Sequence, residues 1–144
     1  MSPATAVALA APKAPPQTPH AVDVAFASDP AFVSRARRIT RALLGLWNVN
    51  GELAENIVFA VSELVSNAVE HGTGDVRLRL RYHDGELRIE VTDGNPTPAE
   101  LCLAGDDDES GRGLFLVAVL ARTWGVSKDG KTTWCIFGIP EGRA

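Results

Sequence analysis

Glu63-Leu64-Val65-Ser66-Asn67-Ala68-Val69-Glu70-His71-Gly72 sets a carboxylate and a carboxamide four residues apart inside an otherwise apolar pattern. At about 100° per residue, this spacing brings Glu63 and Asn67 within about 40° of one another on a helix, one turn apart. Glu70 and His71 continue the polar stripe. Such a stripe beside a wider apolar one presents its polar groups to water, a partner or a cavity. Leu53, Ile57, Ala60, Val61, Leu64, Val65 and Ala68 recur at helical spacing. They predict a helix from Asn50 or Gly51 to His71, stopped by Gly72-Thr73-Gly74.

Beyond the helix the period changes to two. Val76, Leu78, Leu80 and Tyr82 alternate with Arg77, Arg79 and Arg81, and Asp84-Gly85 is the dipeptide that a two-residue type I′ turn prefers. With that turn, His83 faces Glu86, Tyr82 faces Leu87, Leu80 faces Ile89, Leu78 faces Val91 and Arg79 faces Glu90, so apolar meets apolar. The same parity puts Asp93 on the core side. A carboxylate there is paired, protonated or held for a ligand's donor, because burying it unpaired costs several kcal/mol. Capping the turn Gly94-Asn95-Pro96 is the simpler alternative.

Residues 94–110 carry no period, and Asp106-Asp107-Asp108-Glu109 is an acidic run expected to be solvated and mobile, so this stretch reads as a lid. Gly111-Arg112-Gly113-Leu114 then opens a helix holding Leu116, Val117, Val119 and Leu120. Glycines before a helix let backbone N–H groups approach an anion, although close packing is the commoner reason for them. Trp124, Val126, Thr133, Cys135 and Phe137 form a last hairpin around Asp129-Gly130, ending at Pro140.

Toward the N-terminus, Val22, Val24 and Phe26 alternate as a short strand, and Ser28-Asp29-Pro30 supplies the start of a helix. The apolar positions of that helix are Phe32, Val33, Ala36, Ile39, Leu43 and Leu46. Arg35, Arg37, Arg38 and Arg41 crowd the other face, which reads as a solvated face or a docking surface for an acidic partner. Residues 1–20 hold five prolines among alanines and are expected to form a disordered tail; a signal peptide is disfavoured because no Lys or Arg precedes the mildly apolar Ala4 to Ala11 run.

The 144 residues suit a single domain, expected over residues 21–140 with a polar tail at 141–144. A formal net charge of -4 argues against direct nucleic-acid binding as the main activity. Cys102 and Cys135 make neither a CxxC nor a metal spacing, which suits a reducing cytoplasm. No apolar run approaches the roughly 20 residues of a membrane span, so a soluble cytoplasmic protein without membrane contact is expected.

Three pieces stand in order: Glu63-Leu64-Val65-Ser66-Asn67-Ala68-Val69-Glu70-His71-Gly72, Val91-Thr92-Asp93-Gly94, and Glu109-Ser110-Gly111-Arg112-Gly113-Leu114. This trio resembles the Bergerat ATP-binding fold shared by gyrase, the ninety-kilodalton heat-shock chaperone, histidine kinases and mismatch-repair ATPases. It is most similar to the small anti-sigma factor serine kinases of bacteria. The resemblance runs from about Val22 to Pro140. The order of elements predicts the same fold class, an α/β two-layer sandwich with a mixed, mostly antiparallel sheet covered on one face by three helices; the resemblance goes further to the site. It implies that Asn67 ligates the Mg²⁺ bridging the ATP phosphates and that Glu63 orients or deprotonates the attacking hydroxyl. Asp93, beside Gly94, accepts from the adenine amino group, and Gly111, Arg112, Gly113 and Leu114 hold the phosphates. Thr132 or Thr133 also approaches nucleotide, the choice being open. The chain departs from the family in running Gly94-Asn95-Pro96-Thr97-Pro98 where a second glycine usually follows the aspartate.

The resemblance thus implies a serine/threonine kinase that phosphorylates an anti-anti-sigma protein and sequesters a sigma factor, with a homodimer possible. The alternative is an ATP-dependent regulatory binding module without kinase turnover. A metal-dependent hydrolase built on Glu63, Glu70 and His71 is the weakest reading, since no second ligand cluster of the usual spacing is present.

Overall fold

The structure, a computed structural model, describes residues 20–71, 74–93 and 109–140, with the side chains of 109–112 excepted. The expected N-terminal tail up to residue 19, the helix stop at Gly72-Thr73, residues 94–108 of the expected lid with Gly94, and the tail at 141–144 lie outside the described residues, and the last two residues of the stretch read as irregular, Glu109 and Ser110, are helical. The elements are β1 (Ala21–Phe26), α1 (Ala31–Leu46), α2 (Gly51–His71), β2 (Val76–His83), β3 (Glu86–Thr92), α3 (Glu109–Leu120), β4 (Thr123–Val126) and β5 (Thr132–Gly138).

The strands form one five-stranded sheet in the order β1-β2-β3-β5-β4, every pairing antiparallel. Its β2–β3 register is the one read from the sequence, including Leu80 opposite Ile89 and Arg79 opposite Glu90. Asp84 at φ 51° and Gly85 at φ 74° make the turn, both central residues lying in the left-handed region that a type I′ turn requires. In the loop between β4 and β5, the Asp129 carboxylate accepts from Ser127 Oγ at 2.6 Å and from the Lys131 N–H at 3.0 Å. Both bonds favour the ionised form and hold its carboxyl below the usual range.

Strand parity then decides the layers. Val76, Leu78, Leu80, Leu87, Ile89, Val91, Cys135 and Phe137 are buried, and they share one core with Phe32, Leu43, Leu44, Ile57, Val61, Leu64, Val65, Leu114 and Val117 of the helices. The molecule is therefore the expected two-layer α/β sandwich. Stacking of Phe26 on Phe32 at 4.0 Å ties β1 to the start of α1, and Trp47 lies 5.2 Å from Tyr82 at its end. No helix among the described residues is long and apolar enough to cross a membrane.

In α1, the Ala31 N–H donates to Asp29 Oδ1 at 2.9 Å, and the helix closes with Asn48 at φ 58°, its N–H donating to Gly45 O and that of Val49 to Leu44 O. This is a Schellman closure with Asn in place of glycine. Leu46 is not part of the buried face; it is 57% exposed, and Leu44 is buried in its stead. The buried face runs through Phe32, Ala36, Thr40, Leu43 and Leu44, and Leu46 lies roughly 90° from its centre at helical spacing. Two of the four arginines expected on an outer face are tied into the fold. Arg37 Nη1 donates to Ser62 Oγ of α2 at 3.0 Å, and Arg35 lies 5.2 Å over the Phe26 ring.

Candidate functional site

α2 packs across β2 and β3 on one side and against α3 on another. Its apolar positions Val61, Leu64, Val65 and Ala68 are buried, and Glu63 and Asn67, beside them on the stripe, are half-buried. The stripe therefore borders protein. Glu70 and His71, by contrast, are about half exposed and lie 3.5 Å apart, a local pair at the helix end. The sequence order that placed all four on one stripe is kept, but only its first two members enter the interior margin.

What Glu63 meets is α3. Gly113 is buried, and a Cβ built on it would overlap the Glu63 carboxylate. A side chain at this position would displace the carboxylate, which as the far end of a flexible side chain can give way, so glycine here keeps Glu63 in place rather than holding the fold together. α3 begins at Glu109, two residues before the glycine pair, so Gly111 falls in its first turn and Gly113 just beyond. The first four amides of a helix lack intrahelical partners, and those of residues 109–112 are the ones so placed. Leu114, with Val117 and Ala121, anchors α3 in the core. The Arg112 side chain lies outside the described residues.

Asp93 follows β3 directly, on the same parity as the buried Leu87, Ile89 and Val91, and is half-buried. Its N–H donates to Lys131 O at 3.0 Å, which fixes the strand end against the start of β5. The two threonines left open by the sequence separate here. Thr133 pairs with Val91 and alternates with buried Cys135 and Phe137, on the helix side that Asp93 shares. Thr132 lies on the other face, its hydroxyl 2.7 Å from that of Thr92. Strand parity alone carried that signal, because Thr133, Cys135 and Phe137 read as one apolar face. The Glu63–Gly113 contact had no such local signal.

A family model described as the histidine kinase-like ATPase domain matches residues 26–137. The chain belongs to this family. Among solved structures, the RsbU and RsbW domains of Rv1364c from Mycobacterium tuberculosis match with a TM-score of 0.59 at 21% identity, covering 86% of this chain and 33% of that one. This likeness shows the fold, and the chain spans about a third of that neighbour's length. No curated protein matches the chain.

An ATPase domain takes ATP, and the residues of this one suit it. The half-buried Asp93 lies at a strand end, and its carboxylate is the kind of acceptor that a base amino group uses. Asn67 offers a neutral oxygen one turn from the Glu63 carboxylate, the kind of donor a hard divalent cation takes. Among the described residues, no group of three or more His, Cys, Asp or Glu is placed to hold a metal by itself. A cation held here would draw its remaining oxygens from nucleotide and water.

Proposed function

We propose that this histidine kinase-like ATPase domain is a serine/threonine protein kinase of the anti-sigma factor type, acting on an anti-anti-sigma partner and sequestering a sigma factor. The observation that carries the reading is the Glu63 carboxylate set against the backbone of Gly113 with Asn67 one turn along α2. A carboxylate beside a glycine-bearing helix start suits a site where a hydroxyl nucleophile and a phosphoryl group meet, and so supports this reading. The RsbW domain in the structural neighbour supports the branch, and the trio of sequence pieces supports the same assignment.

In this reading Mg-ATP supplies the transferable phosphoryl group. Glu63 orients and accepts the proton of the partner's hydroxyl. Asn67 holds the metal through its amide oxygen, Asp93 reads the adenine edge, and of Gly111, Arg112, Gly113 and Leu114 the first two offer first-turn amides to phosphate while the last two shape that end by close packing. Positioning and charge neutralisation do most of the work in such transfer.

Incubation with Mg-ATP labelled at the γ-phosphate and a small serine-bearing anti-anti-sigma protein tests the proposal. Transfer to serine or threonine is expected, reduced by about 100-fold or more in Glu63→Ala, the range for loss of a general base. Tight ATP binding with no transfer would instead make the domain a nucleotide-dependent binding module. Transfer at the parent rate by Glu63→Ala would remove Glu63 from its role.

A further inference from the structure

The helices cover one side of the sheet, and the other side carries a charge pattern that the nucleotide site does not use. On that side, Arg77, Arg79 and Arg81 of β2 and Arg88 of β3 stand with the carboxylates of Asp23 and Glu90. Asp23 accepts from Arg77 at 2.8 Å and Arg79 at 3.2 Å, and Glu90 from Arg88 at 2.6 Å, with Arg79 and Arg81 at 3.5 and 3.9 Å. Four guanidinium groups thus share two carboxylates, while Glu86, on the same face beside Arg81 and Arg88, is held by Arg122 at 3.3 Å. Arg81 and Arg88 sit directly opposite one another on adjacent strands, an arrangement that costs stability between like charges.

Beside this cluster lies an apolar step. Trp134 is half-buried on the same face, with the Arg88 guanidinium 4.6 Å from its ring centroid. A Cβ on Gly125 would come within 2.6 Å of the Trp134 ring, so the ring lies close over the β4 backbone. Ile136 pairs with Arg88 and is also half-buried. Arginine and tryptophan around a small apolar step are the residues that carry most binding energy at protein interfaces.

We propose that this face, over which no described residue forms a layer, binds an acidic segment of a partner protein, its carboxylates taken by Arg81 and Arg88 and an apolar side chain by Trp134 and Ile136. The sign of the charge selects the occupant. In a chain of net charge -4, an excess of arginine on one face attracts an acidic partner there while the rest repels it. A second copy brings the same excess of arginine to the interface, whereas an acidic segment brings only complementary charge. Asp23 and Glu90, interspersed among the arginines, oppose a continuous phosphate chain but leave room for discrete carboxylates. The inference concerns the side of the sheet away from the nucleotide site and stands apart from phosphoryl transfer.

The test is a fluorescence-anisotropy titration of the full chain into a fluorescein-labelled peptide of alternating Glu and Leu, in low salt. Saturable binding is expected, weakened at least about fivefold by Arg81→Glu and by Arg88→Gln and unchanged by Arg38→Glu on α1, as a located charge contact requires. Circular dichroism confirms that the variants fold; if Arg81→Glu does not, Arg88→Gln carries the comparison. Four results would overturn the proposal: no binding, equal weakening by Arg38→Glu and the sheet variants, tighter binding of a labelled oligothymidylate than of the peptide, or a dimer of the parent that Arg81→Glu dissociates without any peptide binding.

Discussion

Gly113 exists as glycine because Glu63 occupies the place of its side chain, and this separates function from stability at one residue. Alanine favours a helix over glycine by about 0.5–1 kcal/mol, and the Glu63 carboxylate is the movable end of a flexible side chain. Gly113→Ala is therefore expected to leave the thermal midpoint unchanged or raised while phosphoryl transfer falls by about tenfold or more, the penalty of a misplaced catalytic group. Thermal unfolding and the transfer assay measured on one preparation check this. Cys135 behaves as a buried apolar residue, its thiol pushed up to about 12 by burial. Iodoacetamide at about pH 8 is expected to leave it unmodified in the native chain and to label it in urea, as peptide mass spectrometry of the Cys135 fragment reads. Asp23 carries an acid-side dependence. Burial raises its pKa, but the hydrogen bonds from Arg79 and Arg77 outweigh that and lower it from 3.8. Its stabilising effect is therefore present above 3.8 and lost as pH falls further through the lowered value. The stability difference between the parent and Asp23→Asn should stay constant down to that pH and shrink below it. Asp93 was legible at this scale because parity carried it to the core side. The partner of Glu63 was not, since it lies on another element and only tertiary packing brings Gly113 to it.

At the scale of elements, the β2–β3 hairpin follows from a two-residue turn and strict alternation, so its register could be read without the rest of the chain. Gly85 at φ 74° is the point where this rests on one residue. Gly85→Ala is expected to cost about 1–2 kcal/mol from the left-handed backbone alone, read as a lowered urea midpoint with unchanged slope. Leu80, fully buried on the same hairpin, should cost about 2–5 kcal/mol as Leu80→Ala, through lost burial and the cavity left behind. The span of α2 was equally legible, because an amphipathic period bounded by glycines marks both ends. The last turn of α1 was not. Leu44 and Leu46 both fit an apolar period, and the choice between them was made by the turn at Asn48 and by packing against α2. Nor could composition tell that Arg37 reaches Ser62, since a guanidinium on a polar face reads the same whether it meets water or a neighbouring hydroxyl.

For the whole molecule, the alternating patterns and helical periods were enough to give a two-layer sandwich but not the strand order β1-β2-β3-β5-β4, which depends on long-range pairing. That order puts β3 at the centre of the sheet, between β2 and β5, so Val91 and Thr133 face one another at one end on the helix side, with Asp93 two residues on from Val91. Among the described residues no layer lies over the arginine-rich side, in keeping with the expectation of three helices on one face. In the proposed function α2, the end of β3 and α3 build one adenine nucleotide site, with Asp93 as its base-reading acceptor. Isothermal titration of Mg-ATP into the parent and Asp93→Asn tests it most directly. The account predicts saturable 1:1 binding by the parent, weakened about 10- to 100-fold in Asp93→Asn, as the loss of a charged hydrogen-bond acceptor implies, with the thermal midpoint of the unliganded chain little changed. Equal binding by parent and variant, or no binding by either, would contradict it.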